Sequence, residues 1–404
     1  MIYFYYFLAA LSAWFGIQSL LSGLRYVRYV RQETGKPLPE FTPFVSVIAP
    51  SRGFEDGLAD NFRALLTQDY PAFEILFVFD SADDPAVDVL SELSSDRVTA
   101  RLIFSGPATD SGQKVHNLRV AVNEIDPRSE VLVFVDTDAR PGEQWVRQLV
   151  APLADPAIAV STGYRWFVSQ KGGLPSRLRS VWNASVASAL GENREKNFCW
   201  GGSTAIKRSL FEKLNVSGRW RGTISDDFTL TNVIKEAKLP IHFTPNCLVA
   251  SVGDCNLREL FEFTTRQIQI TRVYASHLWL PLLLGSALFA IVFFGGIVLL
   301  IVRIALGLPF IVLFLVLCFL FALGSIKAFI RWHVIHIPLV RYRKELKRDL
   351  LAHVLLWPVS SVLYLYNAIV AGFSTRINWR GITYELKSPT EAVIISREPM
   401  SDEL

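Results

Sequence analysis

The stretch "EVLVFVDTDARPG" (130–142) decides how the chain is read. Its five consecutive apolar residues, Val131 to Val135, predict a strand buried on both faces. The strand runs straight into Asp136 and Asp138, one residue apart, and then into the helix-starting "RPGEQW". Aspartate is a poor strand residue. Two carboxylates this close repel each other unless a cation lies between them. The pattern thus sets two acids at a strand end and requires a positive partner for them.

Working outward, residues from about 45 to 276 alternate short apolar runs with amphipathic segments. "FVSVIAP" (44–50), "FEILFVFDS" (73–81), "VTARLIFSG" (98–106) and "AIAVSTGY" (157–164) read as further strands, with helical patterns around 57–68 and 85–94. Continuous apolar strands joined by helices predict an α/β domain with a mixed, mostly parallel sheet covered on both faces. In such sheets ligands bind at the carboxyl ends of strands. Asp80 closes one strand there, and Asp136 with Asp138 closes another. No G-x-G-x-x-G or G-K-[ST] loop follows the first strand, which excludes dinucleotide and P-loop readings.

The ends of the chain have a different character. Of the 404 residues 51% are hydrophobic, and much of that lies in four long runs. "MIYFYYFLAALSAWFGIQSLLSGL" (1–24) carries no charge and is long enough to cross a bilayer. Residues 277–302 and 304–326 are two more spans, separated only by Arg303. Adjacent apolar runs of that length exclude a soluble protein. Arg25, Arg28 and Arg31 follow the first run, where a signal peptide would carry its basic residues before it. The positive-inside bias therefore expects a membrane anchor, residues 25–43 as a basic cytosolic linker and a cytosolic catalytic domain over 44–276, with 257–276 as an interfacial helix. Beyond the hairpin at 277–326 comes a basic amphipathic segment, 327–349. The fourth run, 350–373, contains His353, Pro358 and Asn367, and is read as re-entrant or interfacial in preference to spanning. Residues 374–404 form a tail read as cytosolic, on account of Arg376, Arg380 and Lys387 near its start. Four cysteines show neither metal spacing nor a disulfide pattern, as in a reducing compartment. The net charge of +4 gathers at the membrane edges, which suggests anionic headgroups and not nucleic acid.

The acids define the chemistry to be expected. The Asp136-x-Asp138 pair suits Mg²⁺ or Mn²⁺, whose remaining ligands are commonly substrate phosphate oxygens. Such an ion would neutralise charge on a departing diphosphate. Taken alone, the same pair could be a helix cap beside a solvated acid. Asp226 and Asp227 precede an amphipathic helix in "RGTISDDFTLTNVIKEAKLPIHF" (221–243), where acids favour the helix dipole. Next to a metal and phosphates, Asp227 could instead serve as a general base. In "LRELFEFTTRQIQITRVYASH" (257–277), Gln269 and Arg272 share a helix face. There the arginine could hold a pyrophosphate or rest on lipid headgroups.

Asp80, Asp136-x-Asp138, Asp227 and Gln269-x-x-Arg272, in that order around "CWGGSTAIKRSLFEKL" (199–214), resemble the D, D-x-D, (E/D)D, Q-x-x-R-W series of family 2-type inverting glycosyltransferases. The likeness covers about residues 44–276. "LLTQDYPAFEILFVFDSADDPA", "SGQKVHNL" and the tail "INWRGITYEL" (377–386) are similar to the ceramide glucosyltransferase branch and to bacterial relatives acting on hopanoids and other lipids. This resemblance implies a GT-A fold, a UDP-sugar donor and a lipid acceptor such as ceramide, hopanoid or diacylglycerol, in a setting like the bacterial inner membrane. It implies that Asp80 contacts uridine and that Lys114 approaches the nucleotide. Asp136 and Asp138 would hold the ribose-diphosphate and the metal, and Gly201 and Gly202 would admit the donor sugar. Asp227 would deprotonate the acceptor hydroxyl, and Gln269 and Arg272 would contact diphosphate or line the acceptor channel. The tryptophan expected after Arg272 is Val273. That departure counts against a processive polysaccharide synthase, which would also want more spans. A non-catalytic scaffold on a transferase fold is the third reading, disfavoured because the acidic positions are all present.

Overall fold

The computed structural model describes residues 2–93 and 99–398. Val98, the first apolar residue of one predicted strand, and the tail beyond Glu398 lie outside the described residues. Strands β1 (Val45–Pro50), β2 (Phe73–Phe79), β3 (Thr99–Phe104) and β4 (Val131–Phe134) alternate with helices α2 (Leu58–Leu66), α3 (Pro85–Ser91) and α4 (Gln113–Val122), after a long first helix α1 (Ile2–Thr34). There follow α5 (Trp145–Val150), β5 (Val160–Val168), α6 (Leu174–Ala187), β6 (Thr204–Lys207), α7 (Arg208–Lys213), α8 (Val216–Arg219), α9 (Asp226–Glu236), β7 (Ile241–Val252) and α10 (Leu257–Tyr274).

The seven strands form one sheet in the order β3-β2-β1-β4-β6-β5-β7. All neighbours are parallel except β6, which runs antiparallel to both β4 and β5. Alternate residues of the central strands point to opposite faces, and both faces are buried. Val47, Ile75, Phe77 and Val133 pack under Phe62, Leu65 and Trp145. Ile48, Leu76, Leu132 and Phe134 pack under Leu118, Phe211 and Trp220. Complete burial explains why β1, β2 and β4 read as unbroken apolar runs. Each large side chain here contributes about 3–5 kcal/mol by the usual measure of truncation to alanine. Strands β6 and β7 escaped the sequence reading, because β6 is only four residues long and β7 carries His242, Thr244 and Pro245 among its apolar residues.

Three helices are long and apolar enough to cross a membrane: α1, α11 (Ser276–Ala305) and α12 (Ile311–Ile335). Helix α1 does not stop where its charge-free run ends but continues to Thr34. Tyr26, Tyr29 and Val30 form an apolar stripe on its last turns and pack into the core beneath β7, where the Tyr29 hydroxyl donates to the Phe243 carbonyl (2.6 Å). Residues 25–34 are therefore a docked helix and not a linker. Helix α12 likewise runs through the start of the expected basic segment. Lys327 turns toward α1, its Nζ donating to Ser19 Oγ (2.5 Å), and Ala328, Trp332, Val334 and Ile335 keep the helix buried. The chain then forms α13 (Arg343–Leu355) and α14 (Trp357–Phe373), with a 71° bend between them.

The tail is the largest addition to the sequence reading. It folds into an antiparallel sheet of β8 (Arg376–Trp379), β9 (Ile382–Ser388) and β10 (Glu391–Arg397). Arg380 and Gly381, both left-handed (φ 53° and 71°), make the two-residue turn between β8 and β9. Ile377, Ile382, Tyr384 and Leu386 pack on Ile224, Ile270 and Tyr274 of the α/β domain. Across this seam the Ala392 N–H donates to the Gly222 carbonyl (2.8 Å) and the Gln113 N–H donates to the Tyr384 hydroxyl (3.1 Å).

Gly222 sits at φ 77°, and a Cβ there would collide with the Thr390 carbonyl. Gly222→Ala is expected to destabilise the protein by about 1–3 kcal/mol. The readouts are a lowered Tm and faster proteolytic removal of the tail; an unchanged digestion pattern would show that this contact does not hold the tail in place.

Candidate active site

A cleft of about 540 Å³ opens at the carboxyl ends of β1 and β4, and its walls include Lys114, Asp136, Asp138, Arg165, Arg380 and Tyr384. Strand β4 ends at Phe134, so the two aspartates stand in the loop beyond it. That loop is fixed from both sides. Thr137 Oγ1 donates to the Pro50 carbonyl (3.3 Å), and Asn61 Nδ2 donates to the Thr137 carbonyl (3.0 Å).

The cation required between the two acids is present in the chain itself. Arg165, a charged residue in the middle of β5, donates from Nη1 to Asp138 and from Nη2 to Asp136, each at 2.9 Å. Its guanidinium rests on the Trp200 ring, 4.8 Å from the centroid. Lys114, in the first turn of α4, reaches the other oxygen of Asp136 (2.6 Å) and also Asp226 (3.0 Å). Burial alone would raise the Asp136 pKa, but Lys114 and Arg165 hold it below the usual carboxylate range. Burial would lower that of Lys114, but Asp136 and Asp226 keep it above its ordinary value. Asp226 is buried more deeply than it is compensated, and its pKa is pushed up to about 6.

The remaining residues predicted for the site divide into those the fold brings here and those it uses elsewhere. Asp80 is buried and paired with Arg52, and its Oδ1 has no hydrogen-bond partner. Arg52 Nε donates to the Arg380 carbonyl (3.0 Å), which ties the Asp80 strand end to the tail turn. Asp227 is half-buried at the start of α9 and is not among the residues lining the cleft. Its Oδ1 accepts from the Phe228 N–H (2.7 Å) and from Ser225 Oγ (2.5 Å). Gly201 makes room for a charged pair, since a Cβ there would strike Asp226 Oδ2 and Lys114 Nζ. Gly202 makes room for the Trp200 ring.

Gln269 and Arg272 face away from the cleft. Gln269 Nε2 donates to the carbonyls of Ser374 (3.1 Å) and Arg376 (3.0 Å), and Arg272 Nη1 donates to the Ala371 carbonyl. Arg272 thus caps the last turn of α14, where a cation complements the helix dipole, and stacks 5.4 Å over Trp279. Residues 263, 266 and 267, one turn earlier on α10, line the cleft instead. Val273 packs with the tail cluster. Arg165 was missed in the sequence; Asp226 and the tail residues Trp379, Arg380 and Tyr384 were noted there, but not as part of the site. The signal that could have found Arg165 is its place as a lone charge in the apolar run "GYRWFV".

The donor set suits a hard cation only in part. Asp138 keeps a buried Oδ1 with no partner, whereas both oxygens of Asp136 are engaged. Among the described residues no three His, Cys, Asp or Glu side chains converge as a self-sufficient metal site. A divalent ion would find one free carboxylate oxygen here, Asp138 Oδ1, and would need its other ligands from substrate and water.

The seven-stranded sheet with its acid-tipped loop is the GT-A glycosyltransferase architecture, joined here to apolar helices. The chain belongs to glycosyl transferase family 21, whose model matches residues 6–392. Ceramide glucosyltransferases 3 and 1 of Caenorhabditis elegans are 36% and 35% identical to it over 81 residues. That stretch is 20% of this chain and only 18% and 17% of those proteins. Among solved structures, the chain is similar to the mannosyltransferase PcManGT from Pyrobaculum calidifontis, in complex with GDP-Man and Mn²⁺ (16% identity, TM-score 0.46, covering 90% of this chain and 98% of that one). It is also similar to glucosyl-3-phosphoglycerate synthase from Mycobacterium tuberculosis, in complex with Mn²⁺ and UDP-glucose (15% identity, TM-score 0.35, covering 56% of this chain and 77% of that one).

Because the folded pKa of Asp226 lies above the ordinary carboxylate value, the fold favours its protonated form. Its contribution to stability is full below about pH 4 and is lost as pH rises through about 6. In melting curves from pH 4 to 8, Asp226→Asn should therefore gain on the wild type as pH rises. A constant difference between the two would show that Asp226 titrates normally.

Proposed function

We propose that the protein is a membrane-embedded inverting glycosyltransferase that moves one sugar from a UDP-sugar to the hydroxyl of a lipid acceptor at the cytosolic face. The observation that carries this reading is the cleft in which Asp136, Asp138, Lys114 and Arg165 meet at the carboxyl ends of the strands, in a chain of a glycosyltransferase family. The likeness to ceramide glucosyltransferases supports a glycolipid product.

In this reading Lys114 and Arg165 would turn from the carboxylates toward the donor diphosphate, and Asp138 would hold the divalent ion. When bound, that ion supplies charge neutralisation for the departing UDP. Asp80, with its free Oδ1, contacts the nucleoside. Gly201 keeps the Asp226–Lys114 pair close to the site. Asp226 is an unsuitable base because it is buried and engaged by Lys114. Asp227 is half-exposed, and its Oδ2 makes no hydrogen bond among the described residues. It is assigned the acceptor proton. Attack opposite the leaving diphosphate inverts the anomeric carbon.

The topology suits a lipid substrate. The tail sheet packs on the α/β domain, so both lie on one side of the apolar helices. Helices α11 and α12 cross and return, which leaves residues 340–373 to begin and end on that same side. The 71° bend between α13 and α14 is consistent with a re-entrant element.

The direct test gives purified protein a panel of UDP-sugars and a total lipid extract with Mn²⁺ or Mg²⁺ and reads the products by mass spectrometry. A single new glycolipid one sugar heavier is expected, whereas a ladder of masses would favour a synthase. Asp227→Asn should reduce transfer by about 100-fold or more with UDP-sugar affinity nearly unchanged; transfer at the wild-type rate would remove Asp227 as the base. Asp138→Ala should weaken donor binding and blunt the effect of a chelator. A wild-type enzyme indifferent to EDTA would eliminate the metal.

A further inference from the structure

Two arginines in the cleft have no part in the nucleotide site described above. Arg179, on α6, and Arg266, on α10, line the cleft. Both helices pack against α14 through Leu178, Trp182, Leu260 and Ile268, so this wall leads toward the apolar helices. Each arginine gives one hydrogen bond to a backbone carbonyl: Arg179 Nη2 to Gly253 (2.8 Å) and Arg266 Nη1 to Asn378 (3.2 Å). The Nε of each is buried without an acceptor.

Neither guanidinium forms an ion pair among the described residues: the acids nearby hold other groups, although Asp138 and Asp254 each keep one oxygen without a hydrogen-bond partner. Glu262 pairs with Arg258 (2.8 Å), and Glu259 accepts the Asn256 N–H in the helix cap (2.9 Å). Asp254 accepts the Lys171 N–H (2.8 Å), and Asp138 holds Arg165 (2.9 Å). Burial, then Arg380 and Arg165, push the Arg266 pKa down to about 10. Aromatic faces hold the two forks in place: Phe167 lies 4.4 Å from Arg179, and Trp379 lies 5.3 Å from Arg266.

An arginine has five donors and a permanent charge, and a half-buried guanidinium whose Nε is buried without an acceptor, and which has no counter-ion, is unfavourable. Two such forks on one wall, pre-oriented by stacking, match the planar, bidentate recognition of a carboxylate or phosphate. We propose that Arg179 and Arg266 form a second anion subsite, which takes a carboxylate or phosphate carried by a substrate in addition to the donor diphosphate. The proposal rests on the nucleotide-sugar reading for its setting. The anion has two possible sources: an acidic sugar on the donor or an acidic headgroup on the lipid.

The test uses the full chain in detergent with Mn²⁺, as wild type and as the Arg179→Gln, Arg266→Gln and double variants. In the donor arm, calorimetry compares UDP, UDP-glucose and UDP-glucuronic acid. In the lipid arm, without nucleotide, tryptophan fluorescence compares dioctanoyl phosphatidylglycerol with dioctanoyl glycerol. The wild type should prefer the acidic ligand in one arm, and the double variant should lose about ten- to a hundred-fold of that preference while binding UDP as before. The arm that responds names the source. Equal affinity for acidic and neutral ligands in both arms, or a preference that survives in the double variant, overturns the subsite. Failure of UDP to bind wild type, with an arginine-dependent lipid preference intact, would instead remove the nucleotide reading and leave the subsite standing.

Discussion

Asp136 and Asp138 can share the end of one buried strand only if positive charge stands between them, and the arrangement around the cleft follows from that requirement. Arg165 and Lys114 supply the charge from β5 and α4, so two ion-paired carboxylates connect three separate elements of the sheet and its helical cover. Lys114 carries the connection on to Asp226 and α9. Removing one member would leave a buried charge uncompensated, a change that typically destabilises by about 3–5 kcal/mol. The same groups suit exchange. Under the proposed reading, a diphosphate arriving with a divalent ion would offer anionic oxygens to the lysine and arginine and a cation to the carboxylates, so that partners change while net charge stays nearly balanced.

The tail sheet extends this logic across the mouth of the cleft. Arg52 is held between the Asp80 carboxylate and the Arg380 carbonyl, and the Arg380 side chain pairs with Glu55. A left-handed arginine is unusual, and here the conformation is imposed by the two-residue turn that aims it at the site. Tyr384 and Arg397 meanwhile fix Gln113 at the start of α4, one residue before Lys114. The last strands of the chain thus help position one of the cations on which the acid pair depends.

How much of this could be read beforehand depended on whether the signal was local. Buried parallel strands betray themselves as apolar runs, and β1, β2 and β4 were found within two or three residues at their ends. The acids at those ends followed from the topology rule for open sheets. Partnership is not local: Arg165 lies 29 residues from Asp136 and finds it only because β5 and β4 flank β6. Gln269 and Arg272 show the opposite failure. Their spacing placed them on one helix face, but spacing alone does not say which neighbour that face meets. It meets the carbonyls at the end of α14. The three strands of the tail went unread because they alternate polar and apolar residues and bury only one face.

That last contact bears on how a lipid could be handled at all. Helix α10 grips the point where α14 gives way to β8, through Gln269 on Ser374 and Arg376 and through Arg272 on Ala371. Its preceding turn presents Phe263, Arg266 and Gln267 to the cleft. One rigid helix therefore links the apolar helices to the chemistry, with a wet, charged face on one side and Trp279 and α14 on the other. An acceptor whose chains remain among α11 and α14 needs to lift only its head to the level of Arg266. The cost of exposing acyl chains to water on extraction of a whole lipid, roughly 0.8 kcal/mol for every methylene, would then be avoided. Under the proposed reading, the reason for building a soluble transferase fold onto membrane helices is that the acceptor never has to leave them.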